Sequence, residues 1–290
     1  MSNLIKILGP TIRIFQIHGM ASYYSNINSF NISQKLKYFS FLFMVSQFLF
    51  NFYHSLKRAM SLPVFEIREF VWALNIFFFL STCNLSGFIL LKNNDVICKC
   101  INGIISLNVY VKNTFLKFSL TFMIVPYLIL CILTEFALYE TPTKFQYLTM
   151  IVSEMFFFQN LSLSIYSSYQ FGLYAFLIGL FYYYANEEIE ELKKIRYVKN
   201  HYKSEILSRL KILKKKEHLA KDLTESLNYS YEIITTNIVI SFFFEVVYGV
   251  TYYIITSDPE YSIRVVWILF FGIRLINCLA GSVFTSNQVK

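Results

Sequence analysis

The segment from Asn186 to His218 reads NEEIEELKKIRYVKNHYKSEILSRLKILKKKEH, and it holds 16 of the chain's 44 charged residues. Almost everything on either side of it is apolar. The whole chain of 290 residues is 56% hydrophobic and only 15% charged, whereas soluble domains average about 25% charged residues. Too few polar residues remain to cover a globule of this size, so the composition predicts an integral membrane protein.

Six apolar runs are long enough to cross a bilayer, which takes roughly 20 apolar residues in a helix. The predicted spans cover about residues 39–56, 70–91, 118–139, 161–184, 233–256 and 263–285, and the fourth lies in a longer apolar run over 147–184. The expected fold is all-α, one membrane domain over residues 1–290 with a helical loop at 186–230. Because no signal-peptide core precedes it, the first span is expected to be an uncleaved anchor.

The distribution of Lys and Arg predicts the orientation. Twenty of the 26 basic residues lie in the N-terminal segment, in the loops after the second and fourth spans and at the C-terminus, while four lie in the alternate loops. Basic loops stay on the cytoplasmic side of a membrane. We therefore expect a cytoplasmic N-terminus and a cytoplasmic location for the charged segment quoted above.

The charged segment predicts helices that leave the bilayer. No proline occurs between Gln146 and Tyr197, and one helix over that stretch would measure about 80 Å, against roughly 30 Å for the hydrocarbon layer. A second helix from about Ser204 carries an apolar stripe that needs a partner, formed by Ile206, Leu210 and Leu213 and continued by Leu223 and Leu227. Two interpretations stay open: a solvated linker, or a helical bundle that holds subunits together.

Two charged residues fall deep inside predicted spans, where ionised groups are costly and often functional. Glu245 lies near the middle of the fifth span and Arg274 near the middle of the sixth. A short outer loop joins these spans, so the two residues should lie at similar depth. We predict an intramembrane ion pair, which either fixes the packing of the helices or takes part in gating or ligand binding.

Aromatic and polar residues in the spans define a candidate pocket, because small-molecule sites are apolar clefts with a few polar groups. The candidates are Trp72, Asn75 and Phe79 on the second span, Glu154, Phe158 and Tyr166 on the fourth, Tyr248 and Tyr252 on the fifth, and Trp267 on the sixth. Taken singly, each is more often an ordinary packing residue than a ligand contact.

Other chemistry has little support in the sequence. The five cysteines have neither disulfide nor zinc spacing, and we find no phosphate loop, nucleophile elbow or metal-spaced histidine pair. The net charge of +8 has no basic fold to present it to nucleic acid. We therefore expect no enzyme activity, no cofactor, no metal and no nucleic-acid partner. None of the sequons at Asn31, Asn84, Asn160 and Asn228 is a strong glycan site.

The predicted layout resembles the insect gustatory and odorant receptor family, and most closely its gustatory branch. Leu8–Met20, LGPTIRIFQIHGM, is similar to the family's amphipathic lead-in to the first helix. Residues 227–257, LNYSYEIITTNIVISFFFEVVYGVTYYIITS, are similar to its fifth helix. Residues 265–284, VVWILFFGIRLINCLAGSVF, are similar to its sixth, including the tryptophan near the outer end.

The resemblance implies a ligand-gated cation channel of four subunits in the plasma membrane, which detects a small-molecule tastant. It also implies a pocket in the outer half of each subunit and an anchor of cytoplasmic helices. The family's signature, Thr-Tyr followed five residues later by Gln-Phe in a pore-lining seventh helix, does not occur. The chain ends in TSNQVK, and YQF at Tyr169–Phe171 lies in the fourth span. We therefore expect that this chain conducts no ions by itself.

Two other classes stay open. A small transporter or a membrane-embedded enzyme would need further catalytic or coupling residues at mid-membrane, beyond Glu245 and Arg274. A G-protein-coupled receptor would need an extracellular N-terminus, which the basic loops oppose.

Overall fold

The computed structural model describes residues 3–26, 29–61, 67–111, 144–198, 203–256 and 261–289. These residues form seven helices, which are α1 (Asn3–Ile17), α2 (Gln34–Ser61), α3 (Ile67–Lys92), α4 (Asn94–Leu107), α5 (Lys144–Val198), α6 (Lys203–Thr256) and α7 (Tyr261–Gln288). An antiparallel hairpin of β1 (Tyr23–Ser25) and β2 (Phe30–Ile32) lies between α1 and α2 in sequence. The predicted all-α class is confirmed apart from this hairpin. The third predicted span, 118–139, lies outside the described residues.

Helix α1 ends in a Schellman motif, which turns the chain toward the hairpin. Gly19 has a φ of 71°, a left-handed conformation that glycine adopts without a steric penalty. The N–H of Met20 donates to the C=O of Phe15 at 2.8 Å, and the N–H of Gly19 donates to the C=O of Gln16 at 3.0 Å. This pair of bonds defines the motif, and Met20 and Phe15, at the two positions that usually carry apolar side chains in it, are both buried.

The hairpin is fixed to α4 by the side chain of Asn102, which bonds the backbone of β2 as a neighbouring strand would. Asn102 accepts a hydrogen bond from the N–H of Phe30 at 2.8 Å and donates one to the C=O of Phe30, also at 2.8 Å. Asn94, in the first turn of α4, bonds the N–H of Ser22 at 3.4 Å and its hydroxyl at 3.2 Å. The N-terminal segment is therefore held against α4 by side-chain amides.

The two longest helices are those expected around the charged segment. Helix α5 runs unbroken over 55 residues, so the predicted continuous helix from Gln146 to Tyr197 is confirmed. Helix α6 begins at Lys203, close to the predicted Ser204, and continues through the fifth predicted span for 54 residues in all. The two helices run antiparallel, since Glu188 of α5 pairs with Arg209 of α6 at 3.7 Å and the earlier Phe171 of α5 packs on the later Tyr231 of α6.

The apolar stripe of α6 finds part of its partner within the same chain. Leu213, Leu223 and Leu227 are buried, while Leu210 is exposed. A Cβ atom on Gly103 of α4 would lie 2.5 Å from a methyl group of Leu223. Glycine at this position therefore lets α4 and α6 approach closely.

Helices α5 and α7 run parallel and touch backbone to backbone. The hydroxyl of Thr285 donates to the C=O of Ala175 at 2.6 Å. A Cβ atom on Gly281 would lie 2.2 Å from the carbonyl oxygen of Gly172. Small residues at such contacts are typical of helix pairs in membranes, where backbones approach closely to gain dispersion energy.

Several segments meet at one end of the molecule. Asn93, between α3 and α4, donates to the C=O of Ser230 in α6 at 3.0 Å. Asn186 of α5 donates to the C=O of Gln288 in α7 at 2.9 Å. The hairpin, the α3–α4 junction, the last turns of α5 and α7 and the first half of α6 therefore lie together. We call this the basic end, because the last turns of α5 and the first half of α6 hold ten of the chain's 26 Lys and Arg residues.

Helix α2 reverses the pattern of a soluble helix, which turns its apolar face inward. Its buried residues include Ser40, Gln47 and Asn51. Its exposed face carries large apolar side chains, which are Tyr38, Phe39, Phe41, Leu42, Phe48, Leu49, Phe52, Tyr53 and Leu56. Helices α6 and α7 bury apolar residues such as Ile234, Ile238 and Phe271 together with Ser241 and Arg274. They also expose large apolar side chains, which are Val239, Ile240, Phe243, Phe244, Val247, Val250, Leu269, Ile276, Leu279 and Val283.

By length and composition, one helix among the described residues, Ser204–Thr251, is apolar enough to cross a membrane, against the six spans predicted. Of the 18 most apolar consecutive residues in this helix, 22% are buried. Helices α2, α3 and α7 contain the first, second and sixth predicted spans and have 28, 26 and 28 residues.

Candidate functional site

The candidate pocket residues are distributed over four helices. The backbone is described for all nine, but the side chains of seven lie outside the described set, namely Trp72, Asn75 and Phe79 of α3, Glu154 and Phe158 of α5, Tyr252 of α6 and Trp267 of α7. The side chains of Tyr166 and Tyr248 are described. The grouping of the nine residues in one pocket stays a prediction.

Tyr166 lies against the end of α1. Its ring centroid is 4.8 Å from the imidazole of His18 and 6.2 Å from the ring of Phe15, and the side chain is buried. These neighbours belong to the N-terminal segment, to which the sequence reasoning assigned no pocket residue. The sequence alone does not show that this segment packs against α5.

The two residues of the predicted ion pair lie on helices that pack on each other, α6 and α7. Arg274 of α7 is 3% exposed, and its guanidinium carbon lies 5.1 Å from the ring centroid of Phe271, within range of a cation–π interaction. Glu245 is half-buried on α6. Its pairing with Arg274 stays a prediction.

His18 and Gln159 clasp the N-terminal segment to α5. Nδ1 of His18 lies 2.8 Å from Oε1 of Gln159, and Nε2 of Gln159 donates to the C=O of His18 at 3.1 Å. Since the amide oxygen accepts in this arrangement, Nδ1 of His18 carries the proton. Burial lowers the pKa of His18 below its usual value, so the imidazole is neutral near pH 7.

A second polar cluster joins β1, α5 and α6, and we call it the phenol site. It consists of Tyr23, Gln170, Tyr174 and Tyr231, all fully buried. The hydroxyls of Tyr23 and Tyr174 lie 3.3 Å apart. Nε2 of Gln170 donates to both of them, at 2.9 Å and 3.2 Å. The ring of Tyr231 packs on Phe171, with centroids 5.3 Å apart.

Burial keeps the phenol site neutral. It raises the pKa of Tyr23 and of Tyr231 well above the usual value, because a phenolate would lose its hydration. Burial also raises the pKa of the neighbouring thiols of Cys98 and Cys100 to about 11. The site can therefore donate and accept hydrogen bonds, but it offers neither a thiolate nor a phenolate for acid–base chemistry at neutral pH.

The sequence contained a signal for this site. Within SLSIYSSYQFGLY, Gln170 and several hydroxyls interrupt a long apolar run, and buried polar groups need hydrogen-bond partners. The sequence could not identify the partner, because Tyr23 lies 147 residues before Gln170.

The described residues contain no group of three or more His, Cys, Asp and Glu side chains that could hold a metal ion. No family model matches this chain, and no curated protein matches it.

Proposed function

We propose that the chain is a multi-pass membrane protein of the gustatory-receptor type, which detects a small molecule as a subunit of a ligand-gated cation channel. The assignment to this class rests on the layout described from the sequence. The membrane location rests on a physical feature of the helices themselves.

The exposed apolar face of α2 carries the proposal of a membrane location. In water, exposing nine large apolar side chains on α2 while burying Ser40, Gln47 and Asn51 would cost free energy on both faces. In lipid the exposed apolar face is favourable, because hydrocarbon solvates it, while Ser40, Gln47 and Asn51 lie on the buried face of the helix, away from hydrocarbon. Helices α6 and α7 also expose large apolar side chains, although their sequences differ from that of α2.

The meeting of the basic segments at one end supports a cytoplasmic N-terminus. The charge count assigns the N-terminal segment, the loop after the second span and the segment around Asn186–His218 to one side of the membrane. The contacts of Asn93 with Ser230 and of Asn94 with Ser22 join the same segments in space. Charge and geometry thus agree on which segments share a side.

The contacts of α5 favour an earlier fourth span than the predicted 161–184. Nδ2 of Asn84 in α3 donates to Oδ1 of Asn160 in α5 at 3.4 Å. The two helices are parallel, and the two residues are 76 positions apart in sequence. With that offset, the end of the second span at residue 91 is level with about residue 167. The bond from Thr285 to Ala175 aligns Thr285, the last residue of the predicted sixth span, with residue 175. We therefore propose a fourth span over about 148–170, which is long enough to cross a bilayer.

This shift moves one candidate pocket residue. Glu154 and Phe158 would lie within the membrane, whereas Tyr166 would lie near its inner edge. Tyr166 packs on His18 at the end of α1, which reaches along α5 as far as Gln159, and we remove Tyr166 from the proposed outer pocket.

Epitope tags and cysteine labelling test the topology. An N-terminal tag should bind antibody only after cells are permeabilised, and exposure on intact cells would contradict the receptor assignment. Cysteines introduced singly at residues 151–158 should resist an impermeant maleimide applied outside, with the wild-type chain as the control for its five native cysteines. Rapid labelling across this range would restore the span at 161–184.

Ligand binding tests the receptor function separately. The purified protein in detergent is heated with a panel of sugars, bitter compounds and volatile organic molecules. A ligand that binds the folded state should raise the melting temperature in proportion to the logarithm of its concentration above Kd. Substituting Trp72→Ala or Trp267→Ala should abolish that shift. A panel without any shift, from a protein whose topology is as proposed, would argue for another membrane function.

A further inference from the structure

We propose that the phenol site binds one water molecule, which links α5 to α6 at the basic end of the molecule. This inference is independent of the receptor assignment, since it depends on hydrogen-bond inventory alone. A buried polar group that lacks a partner costs stability, and internal waters are the usual remedy.

The amide of Gln170 provides the first half of the argument. Its nitrogen donates to the hydroxyls of Tyr23 and Tyr174. Its oxygen is buried and has no hydrogen-bond partner among the described residues. If the amide is turned by 180°, the oxygen accepts from both phenols and the nitrogen is left over instead. Either orientation leaves one strong hydrogen-bonding atom of Gln170 available to a guest.

Tyr231 provides the second half. Its hydroxyl is also buried and lacks a partner among the described residues. Its ring packs on Phe171, the residue that follows Gln170, and Tyr174 lies on the same face of α5, one turn beyond Gln170. Its phenol interacts electrostatically with that of Tyr174. The ring of Tyr231 therefore lies against the turn of α5 that holds the unused amide atom.

A water molecule can make the hydrogen bonds that Gln170 and Tyr231 lack. It can donate to the amide oxygen and accept from the hydroxyl of Tyr231, or accept from the amide nitrogen in the turned orientation. All four residues of the site are fully buried, so a larger hydroxylated molecule would have to displace packed side chains. A charged guest would be unpaired, because the phenols are neutral.

The substitution Tyr231→Phe gives a test by sign. If the hydroxyl bonds a water, its removal should lower the melting temperature by about 2–4 °C, as the loss of one buried hydrogen bond does in a chain of this size. If the hydroxyl is unpaired, its removal relieves a desolvation penalty and should raise the melting temperature. A rise or no change would overturn the proposal. Tyr229→Phe is the matched control, because Tyr229 lies on the same helix and is 74% exposed.

Radiolytic labelling of the wild-type protein in ¹⁸O water provides a second test, which needs no variant to fold. A water bound beside a phenol is activated by the beam and hydroxylates that ring even when the ring is buried. Tyr231 should take up ¹⁸O at least several-fold faster than Phe15, which is equally buried. Equal, slow labelling of the two rings would overturn the proposal.

Discussion

Replacing Gly281 with alanine should separate helices α5 and α7. A Cβ atom there would lie 2.2 Å from the carbonyl oxygen of Gly172, 2.9 Å from its carbonyl carbon and 3.0 Å from its Cα atom. All three atoms belong to the backbone, so no change of rotamer relieves the contact. Since real Cβ contacts stay beyond 3.0 Å, the helices must move apart by about 0.8 Å, which weakens the bond from Thr285 to Ala175.

The net effect is the difference of two terms. Overpacking of a close contact costs about 1–3 kcal/mol, while alanine in place of glycine in a helix gains about 0.5–1 kcal/mol. We expect Gly281→Ala to destabilise the protein by about 1–2 kcal/mol, a fall in melting temperature of roughly 2–6 °C. Gly272→Ala on the same helix is the control, because its Cβ atom would meet Phe242 at an ordinary 3.7 Å. It should be neutral or slightly stabilising.

A double substitution sharpens this prediction. A Cβ atom on Gly172 would lie 2.0 Å from the carbonyl oxygen of Asn277, so Gly172→Ala should also push the helices apart. Because one separation relieves both contacts, the double variant should lose less stability than the sum of the single variants. The melting curves are measured by fluorescence on detergent-purified protein. Two results would refute the reasoning about a shared backbone contact. One is a melting temperature of Gly281→Ala equal to that of Gly272→Ala. The other is a loss of stability in the double variant equal to the sum of the losses in the two single variants.

Three further predictions concern single side chains. Asn102→Asp keeps the acceptor for the N–H of Phe30 but loses the donor to its C=O, so it should destabilise the protein by about 1–2 kcal/mol. The measurement is the rate of proteolysis of the hairpin loop, which should rise. Cleavage at the wild-type rate would contradict this prediction. Because burial lowers the pKa of His18, the unfolded chain takes up a proton that the folded chain excludes, and stability should fall as the pH drops through about 6.5. His18→Gln should remove that component of the pH profile, and an unchanged profile would exclude it. Arg274→Leu with Glu245 retained should reduce assembly at the cell surface, and normal surface expression would count against the pair.

Much of the helical layout was predictable, because helix length and charge follow local sequence. The run without proline from Gln146 gives α5 almost to the residue, and the start of α6 falls one residue before Ser204. The hairpin was not predictable, since YYS and FNI are three-residue strands whose partner Asn102 lies about 70 residues away in sequence. Short strands without a periodic pattern carry almost no local signal.

The candidate site was predictable in residue type but not in partnership. Aromatic residues on four helices suggested a pocket, yet Tyr166 contacts the N-terminal segment. The phenol site combines Tyr23 with residues of α5 and α6, and no periodicity in one sequence connects positions so far apart. Contacts of this kind depend on how helices pack, which is a tertiary property.

The apolar run over 175–184 explains why hydropathy places the fourth span too late under the proposed arrangement. Those residues are apolar because they contact protein. The ring of Phe176 lies 4.8 Å from that of Phe284, and Leu177 and Ile178 are buried. Hydropathy measures how strongly a side chain avoids water, and a helix packed against α7 meets that requirement as well as a helix in lipid. Depth is better read from polar pairs such as Asn84 and Asn160, because their hydrogen bond fixes the relative height of two helices regardless of what surrounds them.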